Sequence, residues 1–140
     1  MKLPLLALAC LLAVPPSLAG DLPRSPSPPG AELYFIAPGD GETLSGPFTV
    51  RFGLRGMGVA PAGVQMDETG HHHLLINVEN LDVTRPIPAD DRHLHFGRGQ
   101  TEAVIELPTG RHTLQLVLGD HLHMPHDPPV VSERITIVVE

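Results

Sequence analysis

The chain has 140 residues, with 16 Asp and Glu against 9 Lys and Arg, which gives a formal net charge of −7. An acidic balance of this size argues against nucleic acids and anionic membrane surfaces as partners, because both repel negative charge. The length suits one domain, and the single cysteine, Cys10, excludes an intrachain disulfide.

Residues 1–19 have the pattern of a secretory signal peptide. Lys2 supplies a positive start, residues 3–14 are nearly all Leu and Ala, and a small-residue cleavage site ends at Ala19. The apolar run is about a dozen residues long, whereas a membrane span needs roughly 20. We therefore expect cleavage and export to the periplasm or the medium, with no membrane span afterwards. An uncleaved anchor and a lipoprotein attached through Cys10 are the alternatives.

Residues 20–30 are rich in Pro and Ser and predict a disordered linker, followed by one domain over residues 31–140. In that domain, short apolar or alternating runs are separated by Gly and Pro turns, which is typical of β-strands. The predicted strands cover residues 33–36, 48–54, 71–78, 93–96, 101–107, 112–118 and 135–139. Helical periodicity is absent after the signal peptide. The pattern predicts an all-β fold, an immunoglobulin- or fibronectin-like β-sandwich of about seven strands.

Histidine is the unusual feature of the composition, with nine residues, all after the predicted cleavage site. Eight of them fall into three groups, at residues 71–73, 93–95 and 121–126. Because residues i and i+2 of a strand point the same way, each H-x-H pair presents two imidazoles on one face. Neutral imidazole is a common ligand of copper, zinc and nickel. The groups therefore predict one metal site where they converge. Its predicted ligands are His71, His73, His93, His95, His121, His123, Met124 and His126.

Each of these groups also has a structural interpretation. The H-x-H pairs could be exposed polar strand ends, and Met124 could simply fill a loop. His72 is in phase with Leu74 and Ile76, so we expect it to face the core and to be hydrogen-bonded. His112 alternates with leucines after a Pro-Thr-Gly turn, so we expect it to pack at a corner of the sandwich and bond a nearby backbone group.

The predicted exported domain has no cysteine, and this narrows the kind of metal site. A blue-copper centre and a Cys-based structural zinc site both need Cys ligands, so the predicted domain can hold neither. A His-dominated site suits Cu(I), Cu(II) or zinc, and a Met124 thioether would favour copper. Asp120 and Asp127 could add oxygen ligands or orient imidazoles.

Several longer motifs are similar to one bacterial family. They are Y-F-I-x-P-x-D-G from Tyr34 to Gly41, F-G-L-x-G-M-G-V-A-P-A-G-V from Phe52 to Val64, T-G-H-H-H-L-L-I from Thr69 to Ile76, P-I-P-A-D-D from Pro86 to Asp91, H-L-H-F-G-x-G-Q-T-E from His93 to Glu102, and H-D-P-P-V from His126 to Val130. On these motifs the chain resembles the family catalogued as domain of unknown function 4399. The resemblance covers nearly all of the sequence after the signal peptide, and it implies a small exported protein with no established activity.

Two functional hypotheses follow from the sequence. The first is a periplasmic His-rich metal-binding protein for copper handling or buffering, with zinc as the alternative ion. The second is a non-enzymatic β-sandwich module that binds an envelope protein or glycan, with pH-sensitive surface histidines. An enzyme is the least supported class, because the sequence contains no G-x-S-x-G, P-loop or H-E-x-x-H motif.

Overall fold

The computed structural model describes residues 22–140, and the predicted signal peptide lies outside this range. Nine β-strands and no helix occur in residues 22–140, so this part of the chain has no helix that could cross a membrane. The strands are β1 (Glu32–Ala37), β2 (Thr43–Leu44), β3 (Phe48–Arg55), β4 (Gly58–Val59), β5 (Thr69–Ile76), β6 (His93–His95), β7 (Glu102–Ile105), β8 (Gly110–Gly119) and β9 (Ile135–Val139). They form two sheets, which confirms the all-β, sandwich-like prediction. The immunoglobulin-like type stays a prediction.

The smaller sheet has three antiparallel strands in the order β1-β3-β7. Its central strand, β3, buries Phe48, Val50 and Phe52 and exposes Thr49 and Arg51. This is the alternation that the sequence predicts, since successive side chains of a strand point to opposite faces. One face of the small sheet therefore packs on the core, and the other faces solvent.

The larger sheet has the strand order β2-β9-β8-β5-β4, and β6 also pairs with β5. β8 runs antiparallel along one side of β5, while β6 and β4 share its other side. The two-residue strands β2 and β4 were not expected, and β4 lies between the predicted strands 48–54 and 71–78. β5 is thus the strand at which residues from three other strands meet.

The larger sheet is buried on both faces at its strand β5. Its inner face contributes Leu74 and Leu116 to the main core, where they pack with Phe52 of the small sheet. On the outer face, Leu75 and Val117 join a second apolar cluster with residues of the long loop that follows β5. Antiparallel sheets commonly leave one face in water. Here loops cover that face, and this is why every residue of β5 after Thr69 is buried.

Residues 23–28, called the N-terminal strap below, lie along the loop that follows β8. Pro26 forms a parallel bridge with Asp127, and the backbone N–H of Ser27 donates to the carbonyl of Asp127. Arg24 donates to the carbonyl oxygens of Pro125 and His126. The sequence predicts a disordered linker here because the segment is rich in Pro and Ser. The structure instead shows these residues fixed to the domain by polar and backbone contacts.

Candidate metal centre

β5 carries two imidazoles on the outer face of the larger sheet. His71 and His73 are separated by one residue, so both point outward with Leu75, whereas His72 points into the core against Phe52. Both outward rings are only 1% exposed, because the covering loops close over them. The H-x-H spacing therefore placed two imidazoles on one face, as predicted, and the tertiary structure buried them.

His95 reaches the same place through strand pairing. β6 runs antiparallel to β5 with His95 directly opposite His73, and cross-strand neighbours on one face lie about 5 Å apart. The ring centroids of His73 and His95 are 5.1 Å apart. Gly97 follows two residues later, and a Cβ atom there would overlap the ring of His95. Glycine at this position leaves the space that the imidazole occupies.

His123 is supplied by the tight turn after β8. The turn closes through backbone bonds between Asp120 and both His123 and Met124, and the carbonyl of His123 accepts the N–H of Ile87. His123 itself has φ 64°, a left-handed conformation that is uncommon for residues other than glycine and costs about 1 kcal/mol or more. Such a conformation persists only when its surroundings impose it, and it is frequent at functional sites.

These four side chains, His71, His73, His95 and His123, are called the imidazole cluster below. Nε2 of His71 lies 3.0 Å from Nε2 of His73, and Nε2 of His95 lies 3.2 Å from Nε2 of His123. The ring centroids of His71 and His123 are 5.0 Å apart, so the two pairs are in contact. One nitrogen from each of His71, His95 and His123 falls within 4.8 Å of the other two.

Within each pair, the spacing of the nitrogen atoms fits two ligands of one transition-metal ion. With metal–nitrogen bonds of about 2.0–2.1 Å, two ligand nitrogens lie about 3.3 Å apart in a tetrahedral site and about 2.9 Å apart in a square-planar one. The Nε2 separations of 3.0 and 3.2 Å fall in that interval. A hydrogen bond explains either distance taken alone. It does not explain why two such pairs pack against each other.

The buried rings are held in the neutral form that a metal requires. Burial, together with the neighbouring imidazoles of the cluster, lowers the pKa of His71 to about 4 and that of His73 to about 2. Burial and His123 lower the pKa of His95 in the same direction. A proton therefore competes poorly for these nitrogens, while a cation would satisfy several of them at once.

The cluster is open on one side only. His95 is exposed and His123 is half-buried, whereas His71 and His73 are closed off from solvent. Nδ1 of His71 and of His73 are buried and have no hydrogen-bond partner within residues 22–140. Metal-ligating histidines usually donate this second N–H to a carboxylate or carbonyl. The two inner rings are therefore oriented by packing, and an ion would enter past His95.

The structure does not bring every predicted ligand into the cluster. His93 lies opposite Leu75, and its Nδ1 is 2.7 Å from Oδ1 of Asp90. His126 is buried with its ring nitrogens 3.1 and 3.3 Å from the carbonyl oxygens of Thr69 and Leu118. Both ring nitrogens of His126 therefore face backbone carbonyl oxygens, and neither is directed into the imidazole cluster.

His121 and Met124 lie in the same turn as His123. His121 is half-buried and lines a cavity of about 500 Å³ beside the strap rather than the cluster. Met124 is fully buried, and its backbone bonds to Asp120. Neither residue belongs to the group of converging nitrogens, so a ligand role for either stays a prediction.

The two histidines expected to be structural are buried as predicted. His112 is 9% exposed, with Nε2 2.7 Å from the carbonyl oxygen of Pro108 and Nδ1 3.0 Å from Nδ2 of Asn77. His72 is fully buried against Phe52. The expectation that His72 is hydrogen-bonded is wrong, because neither ring nitrogen has a partner within the described residues. Burial lowers its pKa to about 4, which keeps this unsatisfied ring neutral.

Sequence reasoning missed the residues that make room for the cluster. A Cβ atom on Gly119 would lie 2.8 Å from Nε2 of His73, which is closer than real side chains come. Gly119 ends β8 opposite His71, and Gly97 plays the same part for His95. A glycine within a strand often marks the close approach of another group. That signal was present at both positions, but only the strand register identifies which ring each glycine admits.

A family model described as "Domain of unknown function (DUF4399)" matches residues 50–140. The matched range contains β4 to β9 and all nine histidines, and it leaves β1 and β2 outside. No curated protein and no solved structure is similar enough to this chain to give a match.

Proposed function

The chain belongs to the DUF4399 family, and from that premise we propose that it is an exported metal-binding protein whose site is the imidazole cluster. The observation that carries this proposal is the convergence of imidazoles from β5, β6 and the turn after β8. Three separate segments contribute to one small volume. Histidines that were only polar strand ends in solvent would not need to converge, whereas the ligands of a binding site must.

The chemistry of the cluster supports a metal rather than an anion or an organic ligand. Its inner rings are neutral at physiological pH, because burial lowers the pKa of His71 to about 4 and that of His73 to about 2. A neutral ring attracts no anion by charge, but it offers a lone pair to a cation. A cluster of imidazole nitrogens, three of which lie within 4.8 Å of one another, suits copper, zinc or nickel.

Copper is the proposed ion, with zinc as the alternative. The affinity of a given set of nitrogen donors generally rises to a maximum at Cu(II) and falls again at zinc. The described part of the chain has no thiolate, so this site would differ from a blue-copper centre and suits storage or delivery of the ion. The proposed role is copper handling or buffering in the periplasm.

Calorimetric titration of the purified protein with Cu(II) and Zn(II), together with elemental analysis, tests the proposal. We expect one ion per chain and tighter binding of Cu(II). His95→Ala should weaken Cu(II) binding by about tenfold or more, since each decade of affinity corresponds to about 1.4 kcal/mol. His93→Ala is the matched control, because His93 lies on the same strand but bonds Asp90 instead of the cluster. Its affinity should stay within about twofold of the wild type.

Two outcomes would count against this proposal. If His93→Ala weakens binding as much as His95→Ala, the ligand set is wrong. If the wild-type protein binds no metal more tightly than a short histidine-containing peptide, the metal function is wrong. A module for an envelope protein or glycan would then be the better hypothesis.

A further inference from the structure

The carboxylate of Asp120 organises the turn that carries His123. Its Oδ1 accepts the backbone N–H of Leu122 at 2.9 Å and that of Met124 at 3.0 Å. These two residues flank His123, whose own N–H donates to the carbonyl of Asp120. The left-handed backbone of His123 is therefore enclosed by three hydrogen bonds to one residue. Asp120 is only 1% exposed, so water does not easily replace these bonds.

The second oxygen of the same carboxylate bonds to the N-terminal strap. Oδ2 of Asp120 accepts the backbone N–H of Ser25 at 3.1 Å and its hydroxyl at 2.9 Å. One carboxylate thus joins two segments that lie 95 residues apart in the chain. Burial alone would raise the pKa of Asp120, but bonds from Leu122, Ser25 and Met124 hold the pKa below its usual range. The group is therefore ionised, and charge-assisted bonds of this kind are about twice as strong as neutral ones.

Other strap contacts hold the far end of the same loop. Arg24 bonds to the carbonyl oxygens of Pro125 and His126, and its guanidinium lies 3.5 Å from the carboxylate of Asp127. The backbone N–H of Asp127 donates to the carbonyl of Ser25. The strap thus contacts the loop on both sides of His123, whereas His71, His73 and His95 belong to the sheet.

We infer that Asp120 and Ser25 are positioning residues for the metal site, and that the docked strap sets the affinity of the site by holding His123 in place. This inference rests on the proposed metal function. His71, His73 and His95 are preorganised by strand pairing, so His123 is the one member whose position depends on a loop. Preorganising a ligand lowers the ordering cost of binding. Release of the strap would leave a site of three imidazoles and a mobile turn.

A double-mutant cycle between Ser25 and His123 tests the inference. Ser25→Ala removes the hydroxyl bond to Asp120 and should weaken Cu(II) binding about three- to tenfold, the range that one hydrogen bond supplies. In a His123→Ala background, Ser25→Ala should have no further effect, because its influence passes through His123. Ser25→Thr keeps the hydroxyl and should restore wild-type affinity.

Ser27→Ala is the matched control in the same strap. Its hydroxyl donates to the carbonyl of Pro128 at 2.7 Å and does not contact Asp120. Its affinity should equal that of the wild type. If Ser25→Ala and Ser27→Ala bind copper equally well, the positioning role is wrong while the metal function stands. If Ser25→Ala weakens binding equally with and without His123, the effect is general destabilisation and the inference is again wrong.

A measurement on the metal-free protein separates this inference from the proposed function. Amide relaxation by nuclear magnetic resonance should show faster motion at His123 in Ser25→Ala, and no change in Ser27→Ala. Unchanged motion at His123 in both variants would overturn the positioning role whatever the affinities are. If the wild-type protein fails to bind metal, both the proposed function and this inference are wrong.

Discussion

Acidification should destabilise the metal-free protein over a pH range set by three buried imidazoles. Burial lowers the pKa of His71 and of His72 to about 4 and that of His73 to about 2, from an ordinary value of 6.5. As the pH falls below 6.5, the unfolded chain takes up protons on these rings and the folded chain does not. Stability falls wherever the unfolded state binds more protons, so it decreases from pH 6.5 towards pH 4.

The size of the effect follows from the number of protons. Each proton bound only by the unfolded state changes the free energy of unfolding by about 1.4 kcal/mol per pH unit. Three rings give a slope of up to about 4 kcal/mol per pH unit near pH 5. The slope is about 2 kcal/mol per pH unit if the fold relaxes around the rings and their pKa values are lowered less. A domain of this size is stable by roughly 5–15 kcal/mol, so the metal-free protein should approach unfolding near pH 4.5.

Urea denaturation at pH values from 7 to 4.5 measures this slope. Circular dichroism is the suitable probe, because the chain has no Trp and one Tyr. The lower limit of this pH range lies above the pH at which the carboxylates take up protons. Hydrogen bonds lower the pKa of Asp82, Asp90 and Asp120 below 3.8, so the stabilisation from these groups is lost only at more acid pH. The double variant His71→Leu with His73→Leu is the control, because His72 is then the one remaining ring of the three. The slope of the double variant should be smaller than that of the wild type by up to about 2.7 kcal/mol per pH unit, because two of the rings are removed.

The reasoning would be refuted by a slope that is the same in the wild type and in the double variant. That result would mean that His71 and His73 take up protons as readily in the folded state as in the unfolded one. A rise in wild-type stability between pH 6.5 and 4.5 would contradict the sign of the argument.

Three further substitutions test other parts of the structure. Gly119→Ala should weaken Cu(II) binding by about tenfold or more in a calorimetric titration, because its Cβ would lie 2.8 Å from Nε2 of His73. Gly58→Ala is the control and should not weaken Cu(II) binding, because its Cβ would meet only Thr69, at 3.4 Å. His72→Leu should raise the free energy of unfolding by about 1–2 kcal/mol, since it removes two buried nitrogens without partners; a loss of stability would mean that the ring has a partner. His112→Ala should lower the free energy of unfolding by about 1–3 kcal/mol through its lost bonds to Pro108 and Asn77; weakened copper binding in the folded variant would contradict its structural role.

The local sequence pattern was enough to predict that the chain is built of β-strands and which histidines of one strand share a face. A strand has a repeat of two, so the alternation in β3 predicts its buried face, and the H-x-H spacing in β5 places His71 and His73 on one side. The in-phase leucines likewise predict the burial of His112. These features depend on neighbours within a few residues, and such neighbours are visible in the sequence.

Only the tertiary structure decided which histidines meet. His93 and His95 have the same H-x-H spacing as His71 and His73, but the register of β6 against β5 puts His95 beside the cluster and His93 beside Leu75. The turn after β8 selects His123 over His121 and His126 through the carboxylate of Asp120, which the strap holds from the other end of the chain. Register, loop closure and docking of the strap all depend on contacts between residues far apart in sequence. No local pattern encodes those contacts. The sequence therefore predicted a linker and eight candidate ligands, whereas the fold makes a strap and one cluster of four imidazoles.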